Sequence, residues 1–456
     1  MNKKQRRVAI IGAGLSGLAC AVKLSAVQKN IEIDFFEASS KAGGRLSCFK
    51  WDLKSGESFL CDNGQHFVIG AYQNFLAMLK MCGALDKWNI FNFEWSGFYL
   101  DKNGLSQTLH FKLKQFPFLY LLNLYYPHVH KAPRFFLFKF LYALTFFMRE
   151  ENKSEGLKNL YENRLINNEL IELFFKPFTE NCLNTEFEKA SNNMLSFLLK
   201  ECSKNLPSSL DIYLPKSNYH VCVILPIINY LENLGVTFHF NSPVERIYPD
   251  RSLKLRKNVT GQYDDIVIAT PGYSAFSIWK KSNLPINDEI SVWEKQVYRD
   301  ILNLWVFIPL SKVNASRTKN SFLWHPVKFE DDGTTYIIVS KELPNHILLA
   351  IVRSACVAER AKKEKEEIMA FGRKLLRTKF YIQLDRCDFK LIRSKKATVA
   401  CTHDQHKTNS IWSGIKTPMD RILKCSDEGA MGFPSTIEGA VFSGNKVAEK
   451  LLQQRN

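Results

Sequence analysis

The sequence has no apolar run of the roughly 20 residues that a membrane-spanning helix needs. Its greasiest stretch, Phe135 to Phe147, is 13 residues long and is interrupted by Lys139. CxxC pairs are also missing. The eleven cysteines stand at irregular spacing, which argues against a zinc ribbon and a disulfide framework; reduced thiols and no metal are expected. The absence of GxSxG, HExxH and Walker A sequences removes support for a hydrolase elbow, a zincin and a P-loop enzyme. No finger, RRM or helix-turn-helix pattern occurs and Lys and Arg are spread along the chain, so nucleic acid is not an expected partner. Internal repeats and low-complexity linkers are absent too.

What is present is a chain of 456 residues, long enough for two structural regions around a cofactor and a substrate. Hydrophobic content of 46% and charged content of 23% suit a compact globular protein. The 62 Lys and Arg outnumber the 45 Asp and Glu, leaving a net charge of +17. So basic a surface calls for an anionic partner, and lipid headgroups fit better than nucleic acid. The basic start before an apolar run imitates a secretory signal. Because glycines punctuate that run, it reads as a strand entering a turn, is expected to be retained, and leaves a cytoplasmic protein as the expectation.

Val8 to Ile11 reads as a buried strand, Leu18 to Ser25 as a helix, and Ile31 to Phe36 as a second strand ending on Glu37. Between the first strand and the helix stands Gly12-Ala13-Gly14-Leu15-Ser16-Gly17, and Glu37 follows Gly17 by 20 residues, the spacing of a dinucleotide fingerprint. Gly12 permits the tight turn, Gly14 lets backbone approach a pyrophosphate, and Gly17 allows close helix packing. The helix N-terminus attracts the phosphate charge, and Glu37 accepts from a ribose diol. The competing interpretation is a set of ordinary turn glycines. Further along, helical spacing runs from Phe75 to Leu85 and from Ile227 to Leu234. Val236 to Phe240 and Asp265 to Ala269 read as strands, and Pro434 leads a last helix from about Ser435 to Leu452.

Gly43-Gly44-Arg45, just past the acidic strand end, resembles the GGR segment of the amine oxidase and phytoene desaturase flavoproteins. The resemblance implies that this segment passes beside the pyrophosphate of FAD. Asp62-Asn63-Gly64-Gln65-His66, followed by Gly70-Ala71-Tyr72, resembles the hydroxysqualene dehydroxylases, also called squalene-associated FAD-dependent desaturases. The likeness continues through Lys176-Pro177-Phe178, Asn184-Thr185, Tyr213-Leu214-Pro215, Lys396-Ala397-Thr398, and the stretch from Pro434 through Val441 to Ser443-Gly444. It implies flavin contacts from Asp62, Gly64 and Gln65, an adenine contact from the Val244 backbone, and a ribityl-phosphate contact from Asp427. It also implies a helix start at Thr436-Ile437 that places N–H groups near the flavin N1/O2 edge. Ser426-Asp427-Glu428 departs from the Gly-Asp-Trp that such proteins carry, which puts the local backbone contact in question.

The resemblance implies an α/β, amine-oxidase-like architecture, in which a Rossmann-type FAD-binding domain is interleaved with a mixed α+β substrate domain. The first is expected from 1–80, 206–275 and 415–456, the second from 81–205 and 276–414. The implied activity is reduction of hydroxysqualene, an isoprenoid, to squalene in hopanoid and squalene synthesis, with His66 as the catalytic candidate. His403, Asp404 and His406 fit surface or structural positions better. Phe116 to Tyr126 and Phe135 to Phe147 read as walls of an apolar cavity, as a helix dipping into one leaflet at the inner face of the cell membrane, or as ordinary core helices. A carotenoid-type desaturase, an amine oxidase and a non-catalytic prenyl-binding protein of related fold remain open as alternatives.

Overall fold

A computed structural model describes residues 5–27, 30–66, 68–92, 94–100, 106–112, 124–125, 141–149, 157, 170–309, 327–329, 334–338, 346–378, 382–405, 416–428 and 432–454. The N-terminal apolar run, Arg6–Ile11, is the central strand of a five-stranded parallel sheet. It pairs with Ile31–Phe36 on one side (Val8 opposite Ile33) and with Asp265–Ile268 on the other (Val8 opposite Asp265). Thr237–His239 and Ile422–Lys424 complete the edges. Val8, Ala9 and Ile10 are buried because a parallel strand covered on both faces has no solvent side. Val8 and Ile10 pack toward the helices Leu15–Val27 and Ile437–Gln453, while Ala9 and Ile11 pack toward Ile247, Leu253 and Trp279 on the other face. The sheet therefore draws its strands from three separated stretches of chain.

A second five-stranded sheet is antiparallel, in the order Val327–Phe329, Thr334–Ile338, His346–Cys356, Tyr298–Pro309, Asp388–Val399. Its strand Tyr298–Pro309, which lies between His346–Cys356 and Asp388–Val399, alternates. Leu302, Leu304, Val306 and Ile308 pack against Ile368, Leu375 and Leu376 of the helix Ala361–Thr378. Trp305 and Phe307 turn the opposite way, into a cluster holding Phe146, Phe147, Phe174, Phe175 and Phe178. Residues 141–147 form a helix that contributes Ala143, Phe146 and Phe147 to this cluster, with Leu141 and Tyr142 exposed. The rest of the stretch from Phe135, and all of Phe116 to Tyr126 except the short strand Leu124–Tyr125, lies outside the described residues. Among the described residues, no helix is long and apolar enough to cross a membrane.

Candidate functional site

The glycine turn sits where the central strand meets the first helix, at the carboxyl ends of the parallel strands. Its glycines divide into two kinds. At Gly12, with φ of +104°, an added Cβ would lie 2.8 Å from the Ala269 carbonyl oxygen, and at Gly17 it would lie 2.5 Å from the Gly12 oxygen. At Gly14 it would meet no atom within 4 Å. Two glycines thus let protein pack on protein, and the middle one faces open space. Gly43 and Gly44 close the other side of the turn: the Gly43 N–H donates to the Ala13 oxygen at 2.9 Å, and a Cβ on Gly44 would stand 3.3 Å from the Gly14 Cα.

Glu37 braces the same turn. Its Oε2 accepts from the Ala13 N–H at 2.8 Å, while Oε1 accepts from the Ser39 N–H and hydroxyl. Because the Ser242 N–H donates to the Glu37 carbonyl and the Asn241 N–H to that of Ser39, the strand Val244–Ile247 begins next to this acidic end. Val244 itself is buried against Leu255 and the sheet, which leaves only its backbone available to a ligand. An open glycine backbone, a helix N-terminus and a carboxylate at the strand end fit a dinucleotide: phosphate against the N–H groups, a ribose diol against Glu37.

Arg45 leaves the second glycine pair and makes an ion pair with the buried Asp427, while its Nη1 donates to the Ala397 oxygen at 2.6 Å. Asp427, and behind it Glu428, raise the pKa of this guanidinium, so it stays a cation. The neighbouring Thr398 hydroxyl accepts from the Asn184 Nδ2 at 2.8 Å, and the Thr185 hydroxyl accepts from the Cys401 N–H. Segments that look unrelated along the chain therefore meet at one joint. Asn184 ends the helix Lys176–Leu183 in the left-handed region, with φ of 47°, a conformation Asn tolerates.

The hairpin Cys48–Asp52 and Ser58–Asp62 delivers the segment from Asp62 to His66. Asp62 is buried and its Oδ1 accepts from the Tyr219 N–H at 2.8 Å, at the start of the helical stretch His220–Asn233. Burial pushes this carboxyl up to about 7, against the pull of that N–H. Asp62 therefore anchors a helix start. Gly64 has open space where a side chain would be. Gln65 is buried; its N–H donates to Asn303 Oδ1 at 3.1 Å and its own Nε2 donates to the His66 carbonyl. The Tyr219 hydroxyl donates to that carbonyl too, and its ring meets the His66 ring edge-on. Burial, with the Arg45 charge second, lowers the His66 imidazole to about 4, so it is neutral near pH 7.

Asp427 is held from behind by a network that local sequence does not reveal. Glu428, fully buried, accepts from the Gly272 N–H at 2.5 Å and from the Tyr298 hydroxyl at 2.7 Å, and pairs with the buried Lys424 at 3.5 Å. The Lys424 ammonium also donates to the Ser426 hydroxyl at 2.7 Å, and burial lowers its pKa while Glu428 opposes that. The Ser-Asp-Glu departure thus has an internal logic, since Glu428 caps the helix Gly272–Lys281 and Ser426 supplies its neighbour's contacts. Thr436 caps the C-terminal helix, its hydroxyl accepting from the Gly439 N–H at 3.1 Å, and Ile437 is the first helical residue. Glu438 turns away and accepts from the Asn74 and Phe75 N–H groups, capping the helix Gln73–Met81.

The structure thus joins the glycine turn, Glu37, Arg45, Asp427 and the segment from Asp62 to His66 in one region. His403 and Asp404 follow the strand Asp388–Val399, and His406 lies outside the described residues. Residues that the motifs do not single out are Tyr219, Asn303, Lys424 and Glu428; the one local signal is Asn303, a lone amide in the otherwise apolar run from Ile301 to Ile308. No group of three or more His, Cys, Asp or Glu suited to a metal occurs among the described residues, and all eleven cysteines are free thiols.

A hydroxysqualene dehydroxylase of Sinorhizobium fredii is 20% identical over 99% of both chains. A zeta-carotene desaturase of Synechocystis is 36% identical, over 17% of this chain and 15% of its own. Among solved structures, a putrescine oxidase triple mutant superimposes with a TM-score of 0.71 and the cyclohexylamine oxidase of Brevibacterium oxydans with 0.69, each at 14% identity and over 99% of both chains. These neighbours share the amine-oxidase-like fold. The family model described as flavin containing amine oxidoreductase matches residues 15–452, and this chain belongs to that family.

Proposed function

We propose that this chain is an FAD-dependent oxidoreductase that reduces hydroxysqualene, an allylic isoprenoid alcohol, to squalene. The supporting observation is the position of Asp62 to His66, which is bonded through Gln65 to Asn303 on the strand Tyr298–Pro309 and has the Arg45 charge beside His66. The alignment with a hydroxysqualene dehydroxylase over the length of both chains supports the same reading. Within it, FAD is the flavin, because the turn and Glu37 suit a dinucleotide. Bound there, reduced flavin would supply a hydride to the carbinol carbon and become oxidised, and the hydroxyl would leave as water with a proton from the reduced flavin or from solvent.

The chain's own contribution is positional. The glycine turn and the first helix hold the phosphates, and Arg45 and Asp427 brace the turn from the substrate side. The Phe-rich cluster packs an apolar, water-free surrounding beside Trp305 and Phe307, which suits a polyprenyl substrate. His66, kept neutral, acts through hydrogen bonding to the departing oxygen and is the catalytic candidate in this scheme. We also assign the protein a peripheral place on an anionic cytoplasmic leaflet, where such a substrate resides.

Anaerobic incubation of dithionite-reduced protein with hydroxysqualene tests cofactor, substrate and direction together. Flavin reoxidation with squalene in the extract, and FAD as the released cofactor, is the expected result. A carotenoid-type desaturation is the second reading, carried by the local match to zeta-carotene desaturases. Oxidised protein that removes hydrogens from a polyene while reduced protein leaves hydroxysqualene intact would establish that reading instead.

A further inference from the structure

Asn303 is the polar exception on the strand Tyr298–Pro309 of the second sheet. It shares a face with Trp305 and Phe307, its cross-strand neighbour Val352 belongs to the same aromatic cluster, and it is 1% exposed. Its Oδ1 accepts the Gln65 N–H, which identifies the other amide atom as the nitrogen, and that Nδ2 is buried with no hydrogen-bond partner. Gln65, 4% exposed, shows the complementary arrangement. Its Nε2 donates to the His66 carbonyl, and its Oε1 is buried without a partner. Trp305 Nε1, two residues along the same face, is another buried donor without a partner.

A buried amide atom left unpaired costs on the order of 1–3 kcal/mol. Here an unused donor and an unused acceptor occur on two residues that touch each other, beside the aromatic cluster and one residue from His66. We propose that Asn303 and Gln65 form the polar pair that recognises the oxygen of an isoprenoid alcohol, Asn303 donating to the hydroxyl and Gln65 accepting from it. This deepens the reading above and rests on it for the identity of the alcohol. A hydroxyl satisfies both atoms because it accepts and donates. A carbonyl leaves Gln65 unpaired, an ammonium leaves Asn303 unpaired, and a hydrocarbon leaves both. The pair therefore distinguishes the alcohol from the hydrocarbon that its reduction yields, which favours release of product.

Equilibrium partition of hydroxysqualene and of squalene from detergent micelles into flavin-loaded protein, read by extraction and mass, tests the pair without turnover. Wild-type protein is expected to prefer the alcohol by about fivefold to a hundredfold, the range that 1–3 kcal/mol represents. Asn303→Leu and Gln65→Met should each remove most of that preference while squalene still binds, with flavin content measured on each variant. Because one variant lies on a strand and the other in a loop, misfolding of either leaves the other as the test. Variants that retain the preference overturn the proposal, as do variants that lose flavin or shift its spectrum while the preference persists, since the amides would then face the cofactor. Wild-type protein without a preference for the alcohol overturns it as well. Loss of preference in both variants, in a protein that forms no squalene, would uphold the pair and reject the reduction. Squalene formation with unaltered variants would do the reverse.

Discussion

At Gly14 a new side chain would point into open space, whereas at Gly17 it would strike the Gly12 carbonyl oxygen at 2.5 Å. The two glycines of one fingerprint therefore make different predictions. Gly14→Val should fold with a stability within about 0.5 kcal/mol of wild type, as a substitution clear of packing does, yet purify with less than a tenth of the wild-type flavin. Gly17→Val should destabilise the fold itself by about 1–3 kcal/mol, because backbone and Ala269 cannot both withdraw. Flavin absorbance per protein and thermal melting of the flavin-free forms separate the two effects; a Gly14 variant with full flavin refutes the assignment of the turn. The geometry of the turn was legible in sequence because the turn is local. Asn303 and Tyr219 were not legible as site residues, since their partners lie 238 and 157 positions away.

The central strand, the first helix and the C-terminal helix emerged from apolar periodicity and caps, with ends shifted by one to three residues. The last helix, expected from about Ser435, starts at Ile437 because Thr436 takes the cap. The hairpin from Cys48 to Asp62 lacked any such signal, since on its two strands only Cys48, Trp51, Cys61 and Asp62 are buried and the alternation is weak. The contact between the first and last helices depends on Gly444, where a Cβ would stand 2.1 Å from the Ser16 carbonyl oxygen and 2.9 Å from the Cys20 nitrogen. Gly444→Ala should therefore lower stability by about 2 kcal/mol or more, although alanine favours an isolated helix by about 1 kcal/mol. Denaturant melting measures this, and a stabilised variant would mean that the helices do not cross so closely.

For the molecule as a whole, the net charge of +17 sets the expected response to a membrane surface. Each basic residue near an anionic leaflet contributes about 1 kcal/mol, and the interaction range shrinks from about 10 Å at 0.1 M salt to about 3 Å at 1 M. Inserted apolar side chains do not respond in that way. Cosedimentation with phosphatidylserine vesicles is expected to weaken severalfold across that salt range without disappearing, and vesicles lacking anionic lipid should capture less protein at low salt. No binding to anionic vesicles at low salt would remove the membrane proposal.

The sequence by itself determined the strand, glycine turn, helix and acidic strand end at its start, because they interact over the continuous chain from Arg6 to Glu37. It also determined the class of fold, through motifs kept in order from Gly12 to Gly444. Only the tertiary structure decided what surrounds that turn. Asp62 anchors a helix start, Glu438 caps a helix from across the fold, and Glu428 caps another where an aromatic was expected. It also decided that His66 is neutral and that Asn303 meets Gln65. The physical reason is that hydrogen-bond satisfaction and burial depend on which distant segments meet, and composition and spacing carry no record of that meeting.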